Sequence, residues 1–322
     1  MKSITADIKG LLIQSKSSKK AGYKRANSFC PLRESKESVR DDGSVFITDI
    51  CYSEKYPNSF FDVFYPQGKG AKLPTLIYFH GGGYIFGSKT QGDPFAAKAT
   101  GKSVIDKISR YGFNIINVDY CFAPKYRFPH QLIQISDLLA YLNENSKKLS
   151  LDMTRLVIMG SSAGACFAEI IGLISTNGDY ARRLGIEKFP LKREHIKALV
   201  IDECSLNLKN LNDKNSISLY QIWLGEKDLR NSEKSRLLRI PDLLDNTYPP
   251  SFIVCSNIEK WFYHSGLELK LALDKRKIEN EFYYVDESVE ALEHGFLNRF
   301  EESKHAKECL DKIIAFICKT VK

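Results

Sequence analysis

Eight short stretches of apolar and β-branched residues punctuate the chain, and most of it can be laid out from their spacing. Thr75 to Phe79, Phe113 to Val118, Leu156 to Met159, Ala198 to Ile201 and Phe252 to Cys255 are predominantly apolar. Runs of that length without regular polar alternation read as strands buried on both faces. Val45 to Tyr52 and Phe60 to Tyr65 alternate more clearly and sit either side of a Tyr56-Pro57-Asn58 turn, so they read as early antiparallel strands. Phe282 to Val285 is the last strand. Helical segments fall between them: Asp93 to Arg110, Leu132 to Tyr141, a stretch from Ala163, Ser265 to Lys275 and Lys304 to Cys318. Strands alternating with helices predict an α/β fold with a mostly parallel central sheet of about eight strands and helices on both faces. No internal repeat interrupts this order.

Length and charge change the picture little. A chain of 322 residues can bury a full core, and 27% charged residues is ordinary for a globular protein. The net charge is 47 − 39 = +8, with a mild excess of Lys and Arg in the first 25 positions. No basic patch is interleaved with aromatics, so nucleic acid is not an expected partner. No segment approaches a membrane span, and Leu11-Leu12-Ile13 is too short for a signal-peptide core, so the protein is expected to be cytoplasmic. The eight cysteines include no Cys-x-x-Cys pair, and several lie in apolar runs as buried thiols do. A disulfide framework, a zinc site and any other cofactor are therefore not expected.

The chemistry concentrates in two loops. Leu156 to Met159 runs into Gly160-Ser161-Ser162-Ala163-Gly164, a strand-to-helix corner with almost no side-chain bulk. Such a corner holds its central residue in a strained conformation and pushes the Ser162 hydroxyl out above the sheet. Gly160 and Gly164 are needed because a Cβ at either place would meet the neighbouring strand or helix. Upstream, the strand ending at Phe79 leads into His80-Gly81-Gly82-Gly83-Tyr84-Ile85-Phe86-Gly87. Three glycines in a row let backbone amides approach and face a ligand.

These two features, in this order, resemble the α/β-hydrolase fold in its hormone-sensitive-lipase-like carboxylesterase (acetyl esterase/lipase) branch. The resemblance spans roughly Phe60 to Phe296. Asp119-Tyr120-Cys121-Phe122-Ala123-Pro124, followed by Phe128-Pro129, is similar to a connection that buttresses the glycine loop in that branch. The resemblance implies a helical cap. Residues 1 to 44, polar and Ser/Lys-rich, then form either an N-terminal part of the cap or a loose arm, and residues 45 to 322 form the hydrolase domain. Residues 205 to 245, helix-prone and without strand signal, fit a cap insertion.

A hydroxyl is a poor nucleophile at neutral pH, so Ser162 needs a base and the base needs an orienting carboxylate. His294, in Glu293-His294-Gly295-Phe296 after the last strand, is the expected base, and the His-Gly-Phe triplet resembles the family's catalytic histidine. His195 and His264 flank helices, His80 braces its own loop and His130 follows a turn; none is assigned to chemistry. The resemblance places the acid in the loop after the strand that begins Pro249-Pro250, and the matching residue is Glu259, with Asp228 as an alternative. The expected oxyanion hole is the backbone amides of Gly82, Gly83 and Ala163. Tyr84 and Phe86 are candidate substrate-binding wall residues or core. Two departures from the family pattern are Ser161, where an Asp is commoner, and Ala165, where a glycine is usual.

The expected function is serine carboxylesterase action on short- to medium-chain acyl esters, with a small-molecule ester as partner. A peptidase, amidase or carbamate hydrolase, or a binding module on the same fold, stays open, since one triad serves many acyl groups. Edge-strand homodimers occur in this fold, but no residue pattern specifies one.

Overall fold

The computed structural model describes residues 4–20, 27, 35–89 and 101–322. A nine-stranded sheet runs through them in the order β1-β2-β3-β5-β4-β6-β7-β8-β9. Its strands are β1 (Glu37–Val39), β2 (Val45–Cys51), β3 (Phe60–Tyr65), β4 (Pro74–Phe79), β5 (Asn114–Val118), β6 (Asp152–Ser161), β7 (Ile196–Asp202), β8 (Ser251–Val254) and β9 (Asn280–Tyr283). The β1/β2, β2/β3 and β3/β5 ladders are antiparallel, and every ladder from β5 to β9 is parallel. The expected eight strands are all present, and β1 is an addition. It is three residues long, with two of them exposed, and carries no apolar run to announce it.

The uninterrupted apolar runs have a simple physical source. Side chains alternate across a strand, and both faces of this sheet are covered, so both sets of positions must be apolar. Ile77 and Phe79 of β4, and Leu156 and Ile158 of β6, point into one core, and Leu76, Tyr78, Val157 and Met159 point into the other. The first core is shared with α3 (His130–Glu144) and α4 (Ala163–Ile174), and the second with α2 (Gly101–Ser109) and α10 (Lys304–Thr320). The helix expected from Asp93 is described only from Gly101, and its first part lies outside the described residues. The helix expected from Ser265 starts earlier, as α9 (Lys260–Lys275).

Residues 205–248 hold α6 (Lys214–Leu224), α7 (Glu233–Leu237) and α8 (Ile240–Leu243) and no strand. Asp213 and Ser232 begin α6 and α7 by accepting the amides of Ser216 and Ser235. From the N-terminal region, α1 (Ile4–Lys20) packs on α6. The seam is close, since a Cβ on Gly10 would lie 3.1 Å from Ile222. Gln14, buried in the seam, donates to the carbonyls of Ile85 (2.9 Å) and Ala123 (3.0 Å). Asp7 pairs with Arg127. Its polar anchors tie α1 to the loops over the sheet, while Ile8, Leu11 and Leu12 are exposed.

Candidate active site

Every loop that supplies a chemical group leaves the carboxyl end of a parallel strand, where open α/β sheets place their clefts. The sharpest of these is the corner between β6 and α4. Ser162 sits there at φ 55°, ψ −115°, a conformation unfavourable for a residue with a side chain. The corner is fixed from both sides. A Cβ on Gly160 would come within 2.1 Å of Gly164, and one on Gly164 within 2.0 Å of the Phe79 carbonyl oxygen. The Ser162 amide donates to the Asp202 carbonyl at the end of β7 (2.8 Å). Ala163 is the first residue of α4, so its amide belongs to the unpaired group at a helix N-terminus.

The glycine loop after β4 is held by polar groups beneath it. Gly82 and Gly83 have φ of 117° and 55°, and a Cβ on Gly82 would lie 2.1 Å from the Phe86 carbonyl oxygen. The Gly82 carbonyl accepts the amides of Ile85 and Phe86, each at 3.1 Å. Among the described residues, no acceptor takes the amides of Gly82 and Gly83. Tyr120 donates its hydroxyl to the His80 carbonyl (2.8 Å), and its ring stacks on the His80 ring at 4.3 Å. His80 is fully buried and its Nδ1 donates to the Gly81 carbonyl (2.6 Å). Burial pushes its pKa down to about 4, so the ring is neutral. Asp119 accepts both the amide of Lys89 (2.7 Å) and its ammonium (2.9 Å). Asp49 approaches the same ammonium at 2.5 Å. Asp119 and Tyr120 therefore touch the loop's frame.

His294 follows β9. Its ring stacks on Phe262 at 4.7 Å, with the planes 13° apart. The loop carrying it is stitched to the one after β8 through Asn257, a buried side chain that sequence reasoning missed. Its amide donates to the carbonyls of Val285 (2.9 Å) and Glu290 (2.7 Å), and its oxygen accepts from Leu292 (2.8 Å). Two carboxylates reach the His294 loop, and they do so differently. Glu259, half-buried at the start of α9, accepts the His294 main-chain amide at 3.1 Å. Burial raises its pKa, and the neighbouring His294 acts in the opposite sense. Glu203, wholly buried at the end of β7, brings Oε2 to 2.8 Å from His294 Nδ1. The same oxygen accepts the Gly295 amide at 2.6 Å.

Glu259, expected to orient the imidazole, accepts the His294 main-chain amide, and the carboxylate beside Nδ1 is Glu203. Glu203 follows the apolar run Ala198–Ile201 by only two residues; a carboxylate that close to the end of a buried strand was the available signal. Asp228, the alternative acid, lies in an exposed turn and accepts from Arg230 and Asn231. His264 and His130 are exposed, and His195 ends a turn before β7.

Ser162, Ala163, Gly83, Glu203, Glu259 and His294 share one cavity of about 730 Å³. Tyr84 and Phe86 also line it, and Tyr84 stacks face to face on Trp223 at 3.7 Å and belongs equally to the core. Lys9 and Ile13 of α1 and Leu219 of α6 complete the wall opposite the sheet. No helix among the described residues is long and apolar enough to cross a membrane.

A mostly parallel sheet with a serine at its strand–helix corner, a glycine loop beside it and a histidine after the last strand defines the α/β-hydrolase fold. Within it, the chain belongs to the BD-FAE family, whose model matches residues 61–262. Among solved structures, esterase B from Lactobacillus rhamnosis superposes with a TM-score of 0.72 at 17% identity, covering 98% of this chain and 95% of that one. Carboxylesterase NlhH of Mycobacterium tuberculosis is 29% identical over 35% of this chain and 33% of its own length. Lipase 2 of a Moraxella species is 28% identical over 39% of this chain and 25% of its own. The matched segments span less than half the length of these curated relatives.

Proposed function

We propose that the protein hydrolyses short- to medium-chain acyl esters through an acyl-enzyme. The observation that carries this reading is the cavity that Ser162, in its strained corner, lines together with His294 and Gly83 of the glycine loop. In the proposed reaction Ser162 Oγ attacks the ester carbonyl carbon while His294 Nε2 takes its proton. The developing oxyanion is met by the amides of Gly82, Gly83 and Ala163. Collapse of the tetrahedral intermediate breaks the bond to the alcohol, which leaves with the proton from His294. Water then attacks the acyl-Ser162 ester with His294 again as base, releasing the acid and restoring the serine. The mainly apolar wall built by Tyr84, Phe86 and Leu219 suits an acyl chain. The names of the esterases and lipase that the chain resembles point the same way.

We place the reaction in the cytoplasm. The sulfurs of Cys166 and Cys204 lie 3.2 Å apart, and a reducing compartment would keep such neighbours as thiols.

Two measurements separate this reading from its rivals. A fluorophosphonate probe should label the wild type and leave Ser162→Ala unlabelled; an unlabelled wild type would instead support a binding module. Given an ester and an amide of one acyl group, the enzyme should turn over the ester at least tenfold faster. Preference for the amide would reassign it as an amide hydrolase.

A further inference from the structure

The two carboxylates around His294 divide the work in a way the family pattern does not anticipate. We propose that Glu203 is the carboxylate that orients the His294 imidazole and balances its positive charge, while Glu259 fixes the loop backbone. Glu203 is then a positioning residue acting through the ring. This rests on ester hydrolysis through Ser162 and His294.

Three observations carry it. The first is the contact itself. Oε2 of Glu203 lies 2.8 Å from Nδ1, the nitrogen that must carry the proton if Nε2 is to accept one from serine. The second is rigidity. Glu203 adopts φ 62°, in the left-handed region, and its amide donates to the Val254 carbonyl of β8 at 3.0 Å. That turn lifts a side chain with no solvent exposure towards the cavity. Its Oε2 also receives the Gly295 amide, so one oxygen fixes two successive residues of the histidine loop. Glu259 is half-buried at a helix start and accepts the His294 main-chain amide.

The third is the charge around the pair. The adjacent Asp202 is pushed up to about 8 by burial and by the charge of Glu203, with Ser161 and His294 pulling the other way. Near neutral pH burial and the adjoining Glu203 side chain therefore hold Asp202 towards its neutral form. The groups facing His294 are Glu203 and Asp202 from β7, Glu259 from the start of α9, and the uncharged ring of Phe262.

Wild type, Glu203→Gln and Glu259→Gln are compared in two ways: kcat/KM for a p-nitrophenyl ester as a function of pH, and NMR titration of the His294 imidazole, assigned with His294→Ala. Glu203→Gln should lose on the order of a thousandfold or more in kcat, the range seen when a triad acid becomes an amide. Its imidazole should titrate about one pH unit or more lower, because an adjacent anion holds the protonated form. Glu259→Gln should stay within about tenfold of wild type, with the imidazole shifted by at most a few tenths. The opposite assignment of the large loss and the large shift would overturn the proposal. Should Glu203→Gln fail to fold, Glu203→Asp replaces it: a lower kcat together with a lower imidazole titration supports the proposal, and wild-type values of both overturn it. A wild type without ester turnover would sink the esterase reading, and the titration would still show which carboxylate is paired with the ring.

Discussion

A neutral imidazole under the glycine loop gives one residue control over the acid edge of stability. His80 is wholly buried, and its pKa falls from 6.5 to about 4 in the fold because burial disfavours the charged ring. The unfolded chain binds its proton first as pH drops, so stability is intact above pH 6.5 and is lost progressively down to about pH 4. A shift of that size is worth about 3 kcal/mol. Replacing His80 by Asn should remove about one proton from the pH dependence of unfolding between those limits, read from denaturant midpoints; an unchanged slope would mean that the ring is protonated in the fold. Lys89 gives the complementary case. Its ammonium has no exposure and meets Asp49 and Asp119, with Asp62 at 3.9 Å. Lys89→Met would strand buried carboxylates and should cost about 3–5 kcal/mol in chemical denaturation. At this scale the sequence was readable wherever a motif fixed the residue. Ser162, His294 and the glycines stand in short motifs that resemble those of a known family. Glu203 and Asn257 stand in none, because their partners lie 92 and 33 positions away and meet them only through the sheet.

Among the elements, legibility followed burial. Strands β4 to β8 lie inside the sheet between two cores, so each must be apolar on both faces and shows it. Edge strand β1 and helix α1 bury little apolar surface of their own and were hidden for that reason. Helix α1 even reverses the usual amphipathic rule, with Asp7, Gly10 and Gln14 turned inwards and Ile8, Leu11 and Leu12 outwards. This makes Gln14 its main polar anchor. Gln14→Ala would leave two buried carbonyls without their donor, a cost of about 1–3 kcal/mol. Because Lys9 and Ile13 of the same helix line the cavity, the expected outcome is a KM raised several-fold for the longer acyl esters with kcat little changed. A fall in kcat alone would show that α1 acts on the chemistry and not on the binding wall.

The whole molecule arranges these parts through strand order. In the sheet β4, β6, β7, β8 and β9 are consecutive neighbours. Their carboxyl ends present, in turn, the glycine loop, Ser162, Glu203, Glu259 and His294, so residues scattered over more than two hundred positions of sequence converge on one cavity. Lys9 and Ile13 of α1 and Leu219 of α6 line that cavity as well. The proposed ester hydrolysis depends on Ser162 as its nucleophile. The most direct test is turnover of p-nitrophenyl esters of increasing acyl length by wild type and by Ser162→Ala, both verified as folded. The prediction is measurable wild-type hydrolysis of short- and medium-chain esters, falling at least a thousandfold in the mutant, as loss of a catalytic serine does. Equal rates in the two proteins, or none in either, would contradict it.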